Sequence, residues 1–222
     1  MATMPSFLQA GQSTATHDWF RSAAGRAVLD SQADIVAEAL SEAPGRHWLW
    51  LGADDDEGGC AGDGRGLHLR QNGDRWDGDV ACGLPLPLPS EAFATVVLQH
   101  VVPGGASSAA LLAEAARVLL PGGRLWLFAL NPLSPYRWRW RGSGLGASEP
   151  LSWRRHLRQH GLAPEPVSQG IGPTWQVATA PGLQHGPGVR AAYLLRAEKR
   201  QWPVTPVRAR RMLQLPQQAP AA

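Results

Sequence analysis

Two apolar runs, residues 95–102 and 124–130, flank a stretch in which Leu111, Leu112, Ala115, Ala116 and Leu119 recur at the spacing of one helix face. The Pro121-Gly122-Gly123 turn stops that helix before the second run begins. The pattern predicts a strand, a helix and a parallel strand. Parallel sheets covered by helices bind ligands outside the carboxyl ends of their strands, so chemistry is expected just after Leu98 and just after Leu130.

Elsewhere the periodicity is plainer in some places than others. From His17 to Leu40 the apolar residues fall mostly at helical spacing, with Gly25 and Asp30-Ser31 as interruptions, which predicts one or two helices covering the sheet edge. HWLWLG at His47–Gly52 follows a Pro44-Gly45 turn and reads as the first buried strand. A weaker strand is expected through Gly66–Arg70, while residues 53–83, dense in Asp and Gly, lack the clear helix of an ordinary crossover. Leu151–Gly161 reads as a short helix with Gly161 near its end, and two further strands are expected at Thr174–Ala178 and Ala191–Ala197. The organisation is thus a flexible N-terminus over 1–16, one domain over 17–202, and a basic, proline-broken tail over 203–222 with a docked PVTP segment at its start.

Composition narrows this further. A chain of 222 residues suits one α/β domain, and no run of about eighteen apolar residues or charged-then-apolar N-terminus points to a membrane span or secretory signal, so a cytoplasmic protein is expected. Cys60 and Cys82 have no partner set at metal-ligand spacing and read as incidental thiols. Charge is divided: residues 1–130 carry 8 basic and 15 acidic side chains, residues 131–222 carry 13 and 3. An anionic partner would go to the second half. Arg137–Arg141, RWRWR, alternates guanidinium with indole, which suits stacking on bases and pairing with phosphates; it suits equally an amphipathic turn resting two tryptophans on the domain.

Leu86, Pro87, Pro89 and Phe93, then His100, then Glu114, Arg117, Val118, Leu119, Pro121, Gly122 and Gly123 together resemble the fourth and fifth strands of class I S-adenosylmethionine-dependent methyltransferases, in particular the type-11 branch. The lead-in helices at Trp19–Leu40 and the late helix and strand at Leu151–Val167 resemble those of a bacterial subgroup, here with a degenerate glycine motif, and the resemblance covers roughly residues 18–202 of this chain. It implies a Rossmann-like α/β fold: a mainly parallel sheet, helices on both faces and an antiparallel edge. It also implies S-adenosylmethionine as cofactor, with Gly52, Gly83 and Gln99 near the donor, His100 near the acceptor, and Asn131 and Pro132 on the substrate side.

The chain departs from the family at several anchors. Where the glycine-rich turn should follow the first strand, Gly52 remains but Asp54 and Asp56 replace the later glycines; LHLRQ at Leu67–Gln71 has no ribose-binding acid, the nearest being Asp74; the adenine-binding acid would fall near Cys82, with Asp79 nearby; and Ala94 replaces an Asp after Phe93. The three-Asp run reads either as a solvated turn or as a cofactor contact. His100 reads either as a base for a substrate nucleophile or as a hydrogen-bonded rim residue. Asn131–Tyr136, NPLSPY, differs from the NPPY motif of nucleic-acid amino methyltransferases in lacking the second proline and in following the fifth strand, not the fourth. Two functions follow: a methyltransferase on an unknown small-molecule or macromolecular substrate, or a cofactor-free scaffold binding protein or nucleic acid through its basic half.

Overall fold

A computed structural model describes residues 18–52, 65–72, 75–101 and 106–200 of the chain. The acidic run with Asp54 and Asp56, Cys60, Asp74 and the tail, including its PVTP segment, lie outside the described residues.

Residues 18–21 are helical, the chain breaks at Ser22 and not at Gly25, which lies inside the next helix, and two helices follow, α1 (Ala23–Asp30) and α2 (Ala33–Ser41). Ser22 caps α1 by accepting from the Gly25 amide, and the chain breaks at Ser31-Gln32, close to the expected interruption. Five strands make the centre: β1 (Trp48–Gly52), β2 (Gly66–Asn72), β3 (Arg75–Gly78), β4 (Phe93–Gln99) and β5 (Leu119–Leu130). Helix α3 (Ala106–Val118) joins β4 to β5. A 3-10 helix (Pro135–Arg139) and α4 (Pro150–Gln159) follow, then β6 (Leu162–Pro164), β7 (Gln169–Ile171), β8 (Gln184–His185) and β9 (Ala192–Lys199).

The strand order is β3-β2-β1-β4-β5-β9-β7-β8, with β6 also paired to β9. β2, β1, β4 and β5 run parallel; β9 pairs antiparallel with β5, and β7 antiparallel with β9, giving the antiparallel edge. From β1 the chain moves outward to β2, and from β4 it moves the opposite way to β5. The crevice between β1 and β4 is therefore a topological switch point, where open α/β sheets bind ligands.

Successive strand residues point to opposite faces, and the core divides along that alternation. Leu49, Leu51, Val96, Leu98, Leu125 and Leu127 pack with Leu112 and Ala115 of α3 and with Trp153 and Leu157 of α4. Trp48, Val97, Trp126 and Phe128 pack with Val28 of α1, Val36 and Leu40 of α2, and the preceding Trp19 and Phe20.

Three expectations change. The Pro121-Gly122-Gly123 segment is not a separate turn, because α3 passes directly into β5 and the register shifts between Phe93↔Leu119 and Thr95↔Arg124. Gly122, at φ 75°, supplies the left-handed residue that such a bulge needs. β2 is longer than the weak run suggested and turns back as a hairpin through β3, pairing Arg70 with Asp77 and Gln71 with Trp76. Thr174–Ala178 is not a strand: Gly172 at φ 88° and Pro173 redirect the chain, Trp175 is 65% exposed, and the edge pairing goes to Gln169–Ile171 instead.

Candidate functional site

Gly52 ends β1 directly opposite Gln99, the last residue of β4. His100 follows at φ 56°, a left-handed backbone that L-residues seldom adopt and that turns its ring away from the strand path. The ring stacks on Phe20, centroids 4.9 Å apart. It is buried, not on the rim of the crevice, and burial lowers its pKa from 6.5 to about 3. At neutral pH the imidazole is uncharged.

A chain of buried polar groups reaches across the strand ends. The Trp50 indole N–H donates to Gln99 Oε1 at 3.1 Å, Gln99 Nε2 donates to Gln32 Oε1 at 2.9 Å, and His100 Nε2 lies against the Gln32 carboxamide, 2.9 Å from its Nε2 and 3.1 Å from its Oε1. Gln32 is wholly buried at the break between α1 and α2, and Gln99 is 3% exposed. On the other side of Trp50 the His68 ring stacks at 4.2 Å. A Cβ at Gly52 would stand 3.2 Å from both Trp50 Nε1 and His68 Nε2, so the glycine keeps the surface beside this aromatic pair clear. Gly83, in the loop before β4, faces open space: a Cβ there would meet nothing within 4 Å.

Other expected positions take up structural bonds. The Asn131 carboxamide donates to the carbonyls of Pro187, Gly188 and Arg190 and accepts from the Leu133 amide, pinning the loop before β9 against the end of β5. The Pro132 carbonyl accepts from Arg137. Ser31 Oγ accepts from the Ala180 amide, which ties the 173–189 segment to the α1–α2 break. Asp79 accepts from the His68 amide at 2.7 Å, and Asp77 from Asn72 at 2.7 Å. Cys82 bridges to Trp76, and burial raises its thiol pKa.

The RWRWR run divides. Trp140 is buried against Trp19, whereas Trp138 is 66% exposed with the Arg141 guanidinium 4.9 Å over its ring. Arg139 lies 6.0 Å over Tyr136. The sequence pattern missed Gln32, Phe20 and the Trp50–His68 pair. A signal existed for Gln32, an amide at the break between two helical stretches, but nothing in linear spacing placed it beside residue 100.

No family model matches the chain, and no curated protein matches it either. Solved structures do. An S-adenosylmethionine-dependent methyltransferase from Thermotoga maritima superposes with a TM-score of 0.55 at 15% identity, covering 82% of this chain and 94% of that one. The fold is that of the S-adenosylmethionine-dependent methyltransferases. A geranyl diphosphate C-methyltransferase from Streptomyces coelicolor A3(2), solved with S-adenosyl-L-homocysteine, gives 0.52 at 17% identity over 77% of this chain and 78% of that one. The [4+2]-cyclase SpnF gives 0.52 at 15% identity over 77% and 80%. One methyltransferase fold thus carries more than one chemistry, and the site must decide between them.

At the ends of β1 and β4, Gly52 leaves backbone without a side chain, and the Trp50–His68 pair gives an aromatic wall beside it. The end of β2 differs, with Arg70 and Gln71 where a carboxylate would receive ribose hydroxyls. Among the described residues, no helix is long and apolar enough to cross a membrane.

Proposed function

We propose that this protein is an S-adenosylmethionine-dependent methyltransferase whose donor lies at the carboxyl ends of β1 and β4, against Gly52, Gly83 and the Gln99 turn. The observation that carries this reading is the switch-point crevice itself, where the side-chain-free Gly52 faces Gln99 beside an aromatic wall. S-adenosylmethionine, when bound, supplies a methyl group on a sulfonium, and transfer by in-line displacement depends mainly on positioning. What the chain supplies is a rigid floor. Trp50, Gln99, Gln32 and His100 hold one another in fixed orientation, and Phe20 with the lead-in helices closes that face to water. The acceptor is assigned to the side of His100, Asn131 and Pro132, and the basic second half favours an anionic acceptor.

One observation favours the competing reading of a cofactor-free scaffold: the strand-end carboxylate is missing from β2. Calorimetric titration of the full chain with S-adenosylmethionine and with S-adenosylhomocysteine separates the two. Saturable one-site binding of both is expected; no saturable heat with either would leave the scaffold reading in its place.

A further inference from the structure

The exposed apolar side chains of this protein are not scattered. Among the described residues ten large apolar side chains are exposed, and six of the ten fall within two segments, 131–148 and 172–191. Isolated exposed apolar residues are ordinary, whereas a group of them rimmed by polar residues marks a contact surface.

Strand register brings the two segments together. The first leaves β5 at Leu130, and the second runs from the end of β7 at Ile171 to the start of β9; Leu130 and Ile171 both pair with Ala192. Asn131 donates to the carbonyls of Pro187, Gly188 and Arg190, and Ser134 Oγ donates to the Val189 carbonyl, so the turns carrying Leu133 and Val189 are tied to each other. Leu133 is 68% exposed and Val189 51%. Exposed Trp138 follows on the 3-10 helix, and exposed Trp175 lies just beyond Pro173, whose carbonyl accepts from the Ala191 amide. Gly52, Gln99 and Phe128 stand in register, and β5 ends shortly after Phe128, so this surface shares the carboxyl edge of the sheet with the crevice.

Its charge is one-sided. The two segments hold Arg137, Arg139, Arg141 and Arg190 and no Asp or Glu. Arg137 donates one N–H to the Pro132 carbonyl, and Arg141 stands 4.9 Å over the Trp138 ring. Both are exposed, and a guanidinium has five N–H groups, so each keeps donors for an anion. Stacking on nucleic-acid bases would use Trp138 but leave Leu133 and Val189 in water. A bilayer surface takes them all: tryptophan and aliphatic side chains enter the boundary between headgroups and acyl chains, and arginines meet anionic headgroups.

We propose that the edge carrying Leu133, Trp138, Trp175 and Val189, with Arg137 and Arg141, docks on the surface of an anionic lipid bilayer and turns the mouth of the crevice toward it. The contact lies on the membrane and does not span it, since among the described residues no helix is long and apolar enough to cross. The inference does not rest on methyl transfer, and its test uses no donor. Failure of one reading therefore leaves the other standing.

The test is sedimentation of the full chain with sucrose-loaded vesicles of phosphatidylcholine alone and of phosphatidylcholine mixed with phosphatidylglycerol. Binding to the mixed vesicles that weakens with salt is expected, with far less on phosphatidylcholine. Arg137→Gln and Arg141→Gln should each weaken it about fivefold, the contribution of one basic residue near such a surface. Leu133→Ser and Trp138→Ser should each weaken it at least about fivefold while leaving the salt dependence in place. The basic tail is controlled by changing Arg208, Arg210 and Arg211 together to Gln. Binding unaltered by the four edge substitutions would overturn the proposal, whatever the tail variant does. So would no binding to mixed vesicles, including the case in which the chain instead binds a single-stranded oligonucleotide and Trp138→Ser abolishes that.

Discussion

Replacing Glu114 by Ala probes the clasp that holds the loop before β4 against helix α3. Both oxygens are occupied: Oε1 accepts from Arg117 Nε at 3.0 Å, and Oε2 accepts from Arg117 at 2.8 Å and from the Leu86 amide at 2.9 Å. Arg117 in turn donates to the carbonyls of Leu86 and Leu88 and to Ser90 Oγ at 2.8–3.0 Å, so one guanidinium gathers the whole turn. Hydrogen bonds to charged groups contribute about 1.5–3 kcal/mol each when buried. Here the Arg117 side chain is 32% exposed and that of Glu114 14%, so water replaces part of what is lost and the bonds are not additive.

About 3 kcal/mol is the resulting expectation for Glu114→Ala, which for a domain of this size is a fall of about 6–12 °C in Tm. The Arg117 bond and the Leu86 amide hold the Glu114 pKa below its ordinary 4.5, despite the opposing effect of burial. Its contribution is therefore complete above pH 4.5 and lost as pH falls through the lower folded value. Urea unfolding of Glu114→Ala, Arg117→Ala and the double variant reads the coupling, expected at about 1.5 kcal/mol or more. A loss under about 1 kcal/mol, or additive single changes, would refute the clasp.

Other substitutions test the packing around the crevice. A Cβ at Gly66 would lie 2.0 Å from Trp48 Cδ2, so Gly66→Ala should cost at least about 2 kcal/mol by urea unfolding, while Gly83→Ala, with open space around it, should change stability by less than about 0.5 kcal/mol. Trp140→Ala should cost about 3–5 kcal/mol because that ring is buried, and Trp138→Ala should be near neutral. Because the folded pKa of His100 is lowered from 6.5 to about 3, the unfolded chain binds the extra proton between those values, and wild-type stability should fall relative to His100→Phe by about 1.4 kcal/mol per pH unit as pH drops from about 6 towards 3, and be flat above about 7. Parallel curves for the two proteins would contradict the burial of that ring.

The strand, helix and strand around α3 were legible because both strands are short unbroken apolar runs, as strands buried on both faces are, and the helix between them repeats its apolar positions at helical spacing. The strand at Ala191–Ala197 and the helix ending at Gly161 were legible for the same reason; Gly161 has the left-handed φ of 76° expected just past a helix end. Thr174–Ala178 misled because its alternation of Trp175 and Val177 faces solvent, and hydrophobicity alone does not say which side a core lies on. The hairpin through β3 was invisible, since it rests on Trp76 pairing with Cys82 and Gln71, contacts with no linear signature. At the candidate site, Gly52 and Gln99 could be named from the motif. The Gln32 contact could not, because it joins residues 68 positions apart through a helix break.

The donor position is the central claim, and the Trp50 indole N–H is its closest reporter, since it sits 3.1 Å from Gln99 and beside Gly52. Proton–nitrogen spectra of the full chain, with the Trp50 signal assigned by its loss in Trp50→Phe, would be followed during titration with S-adenosylhomocysteine. The account predicts a saturable shift of the Trp50 indole signal while those of exposed Trp138 and of Trp153, buried on the other core, stay in place. A Trp50 signal that does not move, or shifts confined to Trp138, would contradict it.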